Sequence, residues 1–325
     1  MRGVTRAGLI VVAVMFLGGC IFHPSNNPPT AAFTAVPNQG YTPLSVSFDA
    51  SSSFDPDGDA LTFSWDFGDG TNGAGKIAEH TYSTSGTYTV TLRVVDAHGE
   101  EATASKEVNA LPVPDGMILR RYHWEYDGEE QSLEFLIPEN LYLTYHNQVR
   151  QPLIDNYNYG DYVSEPRDDP TLSDLAEDLR NKVNGDRITV LDYILAFVQG
   201  SIRYVEDQPG MEYPLYPLET LVDGQGDCED STILYVSLVR ALGYHVTMAF
   251  VDTDGDDTPD HVLALVPILQ SEIDELPSDT GVWTIDGVLY AVAETAVNTD
   301  ITGYIPLGDD PWDIGPSAIK QEWDY

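Results

Sequence analysis

Apolar and polar residues alternate with a period of two through much of residues 31–110. Leu44-Ser45-Val46-Ser47-Phe48 and Tyr88-Thr89-Val90-Thr91-Leu92-Arg93-Val94 put their apolar side chains on one face, the period of half-buried strands. Turn-forming clusters at Asp55-Pro56-Asp57-Gly58-Asp59 and Gly68-Asp69-Gly70 separate the runs. Short strands broken by frequent turns predict a β-sandwich.

The pattern changes after a short Pro-rich linker at 111–116. Thr171-Leu172-Ser173-Asp174 fits a helix-starting capping box, with Leu172, Leu175, Ala176 and Leu179 at helical spacing. Val190 to Val198 predicts a second, largely apolar and buried helix, and Glu229 to Leu242 a third, stopped by Gly243. His245 to Val251 and His261 to Ile268 read as strands. Val282–Ile285 and Leu289–Ala293 flank Asp286-Gly287 as a hairpin would. Helices followed by strands predict an α+β domain over 117–325. The chain is therefore expected to be multidomain.

The N-terminus carries a different signal. Arg2 and Arg6 precede an apolar stretch from Ala7 to Phe16, too short for an ordinary membrane span, and Leu17-Gly18-Gly19-Cys20 follows. Residues 1–20 resemble a prokaryotic lipoprotein signal, in which the lipobox cysteine, here Cys20, is lipidated and becomes the first residue. Uncleaved, the same stretch would act as an anchor helix. Residues 21–30, rich in Pro and Asn, read as a tether. Both alternatives predict an extracytoplasmic body held at the cell surface, touching the membrane only through its anchor.

Charge narrows the partners. Lys and Arg number 15 against 53 Asp and Glu, a net charge of −38, which excludes a nucleic-acid surface built on clustered basic residues. At 42% hydrophobic residues the chain still has material for packed cores. Acidity spread along the body suits high salt, where self-repulsion is screened. There are two cysteines, so lipidation of Cys20 leaves Cys228 as the sole thiol, with no internal disulfide to form.

Cys228 lies in Gly224-Gln225-Gly226-Asp227-Cys228-Glu229-Asp230, just before the third helix. Helix N-terminal N–H groups favour a thiolate there, while Asp227 and Glu229 oppose it, so a nucleophilic role needs a base. His261 opens a strand and is the preferred base, ahead of His245. The acid that would orient the imidazole is Glu294, with Asp286 as the alternative. The backbone N–H of Cys228, with Gln199 or Tyr204, is a candidate oxyanion donor. Asp252-Thr253-Asp254-Gly255-Asp256-Asp257-Thr258-Pro259-Asp260 places alternate carboxylates around a glycine. Asp252, Asp254, Asp256 and Asp260 could wrap a hard cation such as calcium, and the Asp55-Asp57-Asp59 turn is a shorter version. Gly70 to Lys76 fits a phosphate-loop spacing, but Ile77 stands where Ser or Thr is needed for magnesium.

Two segments carry family resemblances. Trp65-Asp66-Phe67-Gly68-Asp69-Gly70, His80-Thr81-Tyr82, Gly86-Thr87-Tyr88 and Val90-Thr91-Leu92 resemble the signatures of PKD domains, immunoglobulin-like spacers of surface proteins. Tyr216-Pro217-Leu218-Glu219-Thr220-Leu221, the Gly226-Asp227-Cys228-Glu229-Asp230 run, Ala241-Leu242-Gly243-Tyr244 and His261-Val262 resemble prokaryotic members of the transglutaminase-like superfamily, most strongly over 190–300. That resemblance implies a papain-type fold and a Cys-His-acid triad acting on amide bonds. Tyr290-x-x-x-Glu294-Thr295 fits the family's acid pattern better than Trp283-x-x-Asp286 does, with Glu and Tyr where Asp and Trp are usual. The implied substrate is a protein or peptide, split by water as in a protease or amidase, or joined to an amine. No cofactor is required for that chemistry. The other class the sequence allows is a non-catalytic envelope binding or adhesion protein, calcium-dependent or not.

Overall fold

The computed structural model describes residues 26–148, 159–163, 170–207, 213–278, 281–296 and 304–324. Cys20 and the rest of the export signal lie outside the described residues. The chain divides into two compact units, Met1–Pro112 and Val113–Tyr325. Among the described residues no helix is long and apolar enough to cross a membrane.

The first unit is a β-sandwich. Its strands are β1 (Thr34–Val36), β2 (Gln39–Tyr41), β3 (Leu44–Asp49), β4 (Thr62–Asp66), β5 (Asn72–Ala74), β6 (Ile77–Tyr82), β7 (Gly86–Val95) and β8 (Glu101–Leu111). They form sheets of order β1-β3-β6 and β2-β8-β7-β4-β5. The alternation seen in the sequence is the inside-outside alternation of the sheets: Leu44, Val46 and Phe48 point inward from β3, and Val90, Leu92 and Val94 from β7. Trp65 fills the centre, edge-on to Phe33 at 5.1 Å, and its indole N–H donates to the Gly75 carbonyl at 2.8 Å. Gly70 to Lys76 spans a strand and a turn between strands, not the start of a helix, so the phosphate-loop spacing is coincidental.

Residues 26–30 differ from the expected tether. Asn26 donates to Asp96, the Asn27 backbone and side chain both donate to Asp57, and Thr30 bridges to Phe54. These bonds fasten the segment onto the sandwich. They also engage the acidic turn: Asp57 takes Asn27, Asp55 accepts the Asp57 and Asp59 N–H groups, and Asp59 pairs with His98.

The second unit begins with a hairpin of β9 (Met117–Tyr126) and β10 (Glu129–Pro138), turned at Asp127-Gly128. Then come α1 (Glu139–His146), α2 (Pro170–Lys182), α3 (Arg187–Ser201), β11 (Arg203–Tyr204), α4 (Pro217–Asp223), β12 (Gln225–Gly226) and α5 (Cys228–Ala241). Next follow β13 (Thr247–Val251), β14 (His261–Ile268), β15 (Val282–Ile285), β16 (Val288–Ala293) and β17 (Ile319–Asp324), an antiparallel sheet of order β15-β16-β14-β13-β17. Helix α5 is buried on every side from Glu229 to Val239, and α3 nearly so, which is why neither sequence shows a polar stripe.

Three boundaries depart from expectation. Helix α2 opens at Pro170, whose missing N–H suits a first turn, so Thr171 lies inside the helix rather than capping it. Helix α3 opens at Arg187 because Asp186 caps it, accepting the Thr189 N–H at 2.9 Å. His245 is an exposed loop residue before β13, not a member of the strand. The Asp286-Gly287 hairpin is present, with both residues at positive φ (48° and 83°) as a tight primed turn requires.

Gly68 and Gly70 both have positive φ (81° and 89°), but a Cβ on Gly68 would come within 2.7 Å of the Thr89 carbonyl oxygen, whereas one on Gly70 would meet nothing within 4 Å. Gly70→Ala should therefore cost only the left-handed backbone penalty, about 1–2 kcal/mol. Gly68→Ala should cost distinctly more. Urea unfolding of the full chain followed by Trp fluorescence would rank the two; equal losses would contradict the close approach.

Candidate active site

Cys228 is the first residue of α5, at the end that gathers unsatisfied backbone N–H groups. The chain reaches it through a short parallel pairing of β11 with β12, in which Tyr204 lies opposite Gly226 and the Val205 N–H donates to the Gly226 carbonyl at 2.9 Å. The thiol is half-buried and points toward Glu229 Oε2 at 3.6 Å.

His261 stands at the start of β14, opposite Val251 of β13. Its Nε2 lies 2.8 Å from Glu294 Oε2, and Glu294 is fully buried just beyond the end of β16. The other carboxylate oxygen of Glu294 accepts the Ala296 N–H at 2.7 Å. Asp286 is exposed in the hairpin turn and is not bonded to the imidazole. Of the two candidate acids, the fold therefore brings only Glu294 to His261. Burial alone would lower the His261 pKa. The Glu294 carboxylate, the Cys228 sulfur and hydrogen bonds to both overcome it and hold the pKa well above its usual value. Because Nε2 is taken by Glu294, Nδ1 is the ring nitrogen left to meet the sulfur.

Thr232 joins the three elements. Its hydroxyl lies 2.7 Å from the Cys228 carbonyl, 3.1 Å from the Val262 carbonyl and 2.7 Å from the Thr295 hydroxyl. One side chain thus pins the nucleophile's helix, the histidine strand and the residue after the acid. Nothing in the local sequence marks it. Trp312, also missed, stands over the His261 ring at 4.6 Å between centroids and covers it.

Gln199 is not placed to stabilise an oxyanion. Its Nε2 donates to the Glu294 and Ile305 carbonyls at 2.6 and 2.9 Å, and its Oε1 accepts the Ile305 N–H at 2.9 Å. The amide is consumed in fixing the backbone of the acid and of Ile305. Tyr204 sits nearer the chemistry: burial first, then the charges of Cys228 and Asp227, raise its pKa and keep the phenol protonated as a donor.

Around the thiol the walls are acidic. Asp227, Glu229 and Asp230 are buried. Burial, then a hydrogen bond with Asp227 and the charges of Cys228 and Asp227, raise the Glu229 pKa, and burial followed by the Asp227 charge raises that of Asp230, both well above the usual carboxylate range. Asp230 accepts the Leu215 N–H at 2.6 Å. In the 252–260 loop, Asp252, Asp254 and Asp256 gather within 4.8 Å of one another. Asp260 does not join them, because its carboxylate closes the loop's neck on the Thr253 N–H and hydroxyl, both at 2.8 Å. Lys320 already supplies a cation there, 3.4 Å from Asp252 and 2.6 Å from Asp257. The closed neck fixes the chain just before His261.

The raised His261 pKa has a definite sign. Its stabilising contribution is complete below about 6.5, the ordinary imidazole value, and is lost as pH rises through the raised folded value. Glu294→Gln should thus lower the ring's titration midpoint and cost roughly 1–3 kcal/mol, most of it below that ordinary value. Asp286→Asn should leave both unchanged. NMR titration of the His261 ring with melting curves across pH would check this; a shifted midpoint in Asp286→Asn would reassign the acid.

Comparison with known proteins identifies both domains. Residues 26–110 match the PKD domain, and residues 173–296 match the transglutaminase-like superfamily. A microbial collagenase of Vibrio alginolyticus is 38% identical over 84 residues, 26% of this chain and 10% of that protein, so the chain spans about a tenth of that relative's length. The PKD1 domain of Vibrio anguillarum Epp is 31% identical, covering 26% of this chain and 96% of that domain, with a TM-score of 0.23. Red sea bream transglutaminase is 13% identical, covering 78% of this chain and 48% of that one, with a TM-score of 0.27. The chain carries a PKD β-sandwich followed by a domain of the transglutaminase-like superfamily.

Proposed function

We propose that the second unit is a thiol enzyme that cleaves or transfers amide bonds, with Cys228 as nucleophile, His261 as base and Glu294 as its orienting acid. The observation that carries this reading is the convergence of those side chains from α5, β14 and the end of β16, with His261 bonded to a fully buried Glu294.

The Cys228 sulfur attacks a carboxamide or peptide carbonyl carbon while His261 takes the thiol proton. The oxyanion that forms is met by first-turn N–H groups of α5 and by the Tyr204 hydroxyl. The carbon–nitrogen bond breaks, His261 returns the proton to the leaving amine, and a thioester remains. Water then attacks the thioester, releasing the acid and restoring the thiol; an amine in place of water gives a cross-link. Hydrolysis is preferred, because water is always present and no amine-binding site is evident among the described residues. Trp312 and the Gln199-held segment keep the imidazole covered and its acid in place.

The setting is extracytoplasmic. A PKD spacer, collagenase relatives and the Cys20 lipobox support a surface enzyme held by lipid, with protein or peptide substrates. Metabolic labelling with palmitate should mark the wild-type chain and not Cys20→Ala, which should appear in the medium; a labelled Cys20→Ala would reject the anchor.

Alkylation of the thiol by iodoacetamide should slow about 10²–10⁴-fold in His261→Ala, the usual size of a general-base effect. Mass spectrometry of the full chain incubated with a peptide library should capture an acyl adduct on Cys228 that hydroxylamine releases and Cys228→Ala abolishes. Unchanged alkylation in His261→Ala together with no adduct would leave a binding protein that keeps only the fold.

A further inference from the structure

Trp312 lies beyond the stretch that matches the transglutaminase-like superfamily, which ends at residue 296. It nonetheless stands on the His261 imidazole, 4.6 Å between centroids with the rings inclined at 56°. The chain that carries it is fastened at both ends. Gly308 donates to the Val292 carbonyl and accepts the Gly281 N–H, both at 2.8 Å, and the Ala318 carbonyl accepts the Asp252 N–H at 3.1 Å. Between these anchors, the Asp310 carboxylate accepts the N–H groups of Trp312 and Gly315 at 3.3 and 3.2 Å, and its carbonyl accepts that of Asp313 at 3.1 Å. Asp313 and Gly315 turn the backbone at positive φ (54° and 69°), and Ile314 packs against the cluster of Val251, Leu263 and Val292. The indole is therefore held in place by its backbone as well as by its own contact.

The other groups around the imidazole are accounted for. Glu294 holds Nε2 from the end of β16, and Cys228 meets the ring from α5, with Glu229 3.6 Å behind the sulfur. Asp260, next in the chain, is turned onto Thr253, and Lys320 of β17 is held by Asp252 and Asp257. An aromatic system within about 6 Å attracts a cation and offers a neutral imidazole much less. Its bulk also keeps water from the His261–Glu294 pair, where a high dielectric would weaken the attraction. Both effects favour the protonated ring.

We propose that Trp312 is a positioning residue that does more than cover His261: its indole stabilises the imidazolium beside Glu294 and so strengthens the positive charge that faces the Cys228 sulfur. The effect on the ring stands by itself. The effect on the sulfur rests on the proposed pairing of Cys228 with His261.

NMR titration of the His261 ring in the full chain, run alongside iodoacetamide alkylation of Cys228 across pH, separates the two. Trp312→Leu keeps an apolar cover but has no aromatic face. Its His261 midpoint should fall by about 0.4–1.5 pH units, the span of cation–π strengths, and alkylation near neutral pH should slow by up to about 30-fold. Trp312→Phe keeps a weaker aromatic face and should recover part of both losses. An unmoved midpoint in Trp312→Leu, or equal falls in the two variants, would overturn the role of the indole. A midpoint that falls with leucine and recovers with phenylalanine, while alkylation stays at the wild-type rate, would keep the ring contact and reject the pairing of Cys228 with His261. Should the leucine variant fail to fold, Trp312→Phe against wild type still reads a smaller fall of the same sign, and no fall there overturns the role as well.

Discussion

The second unit is organised around an ion pair in its interior. His261 and Glu294 meet at 2.8 Å, with the carboxylate fully buried. A pair of this kind is costly to form and more costly to break, because removing one partner strands the other charge out of water. The surrounding chain therefore has to hold both groups still. It does so from the backbone outward: the Ala296 N–H takes the second carboxylate oxygen, Gln199 holds the Glu294 carbonyl, and Trp312 covers the imidazole.

These supports form one network. Gln199 comes from α3 and grips residues 294 and 305 together. Asp192, two turns earlier on the same helix, accepts the Leu307 N–H at 2.7 Å and the Tyr304 hydroxyl. The segment from 304 to 308 is thereby stitched to α3, and Gly308 donates back to Val292 of β16 at 2.8 Å. An apolar helix with two inward polar side chains thus sets the position of the acid and of the chain leading to Trp312. That explains polar residues in a helix whose sequence otherwise reads as pure core.

Much of this was legible locally. The His261–Ile268 strand is an apolar run bounded by an acidic turn, and the Asp286-Gly287 hairpin is named by its turn residues. The Cys228 position follows from Gly-rich chain meeting a helix start. What stayed hidden depends on partners far apart in sequence. Gln199 contacts residues 95 and 106 positions away, so no periodicity could distinguish its amide from an oxyanion donor. Trp312 over His261 and Asn27 on Asp57 are of the same kind. Thr232 was invisible for another reason: a threonine in a buried helix looks like core until its three oxygen partners are known.

The acidic setting decides which force can activate the thiol. The N-terminus of α5 contributes roughly half a positive charge, which favours a thiolate. Asp227 and Glu229 flank the sulfur and Asp230 and Asp207 lie close behind, an opposing charge larger than the dipole whenever they are ionised. The dipole therefore does not win unaided. The positive charge must come from His261, and the imidazole can stay cationic in its buried position only because Glu294 backs it. The interior ion pair and the reactivity of the sulfur are consequently one property: whatever loosens Glu294, whether at Gln199, Ala296 or Thr232, withdraws the cation on which a thiolate in an acidic wall depends.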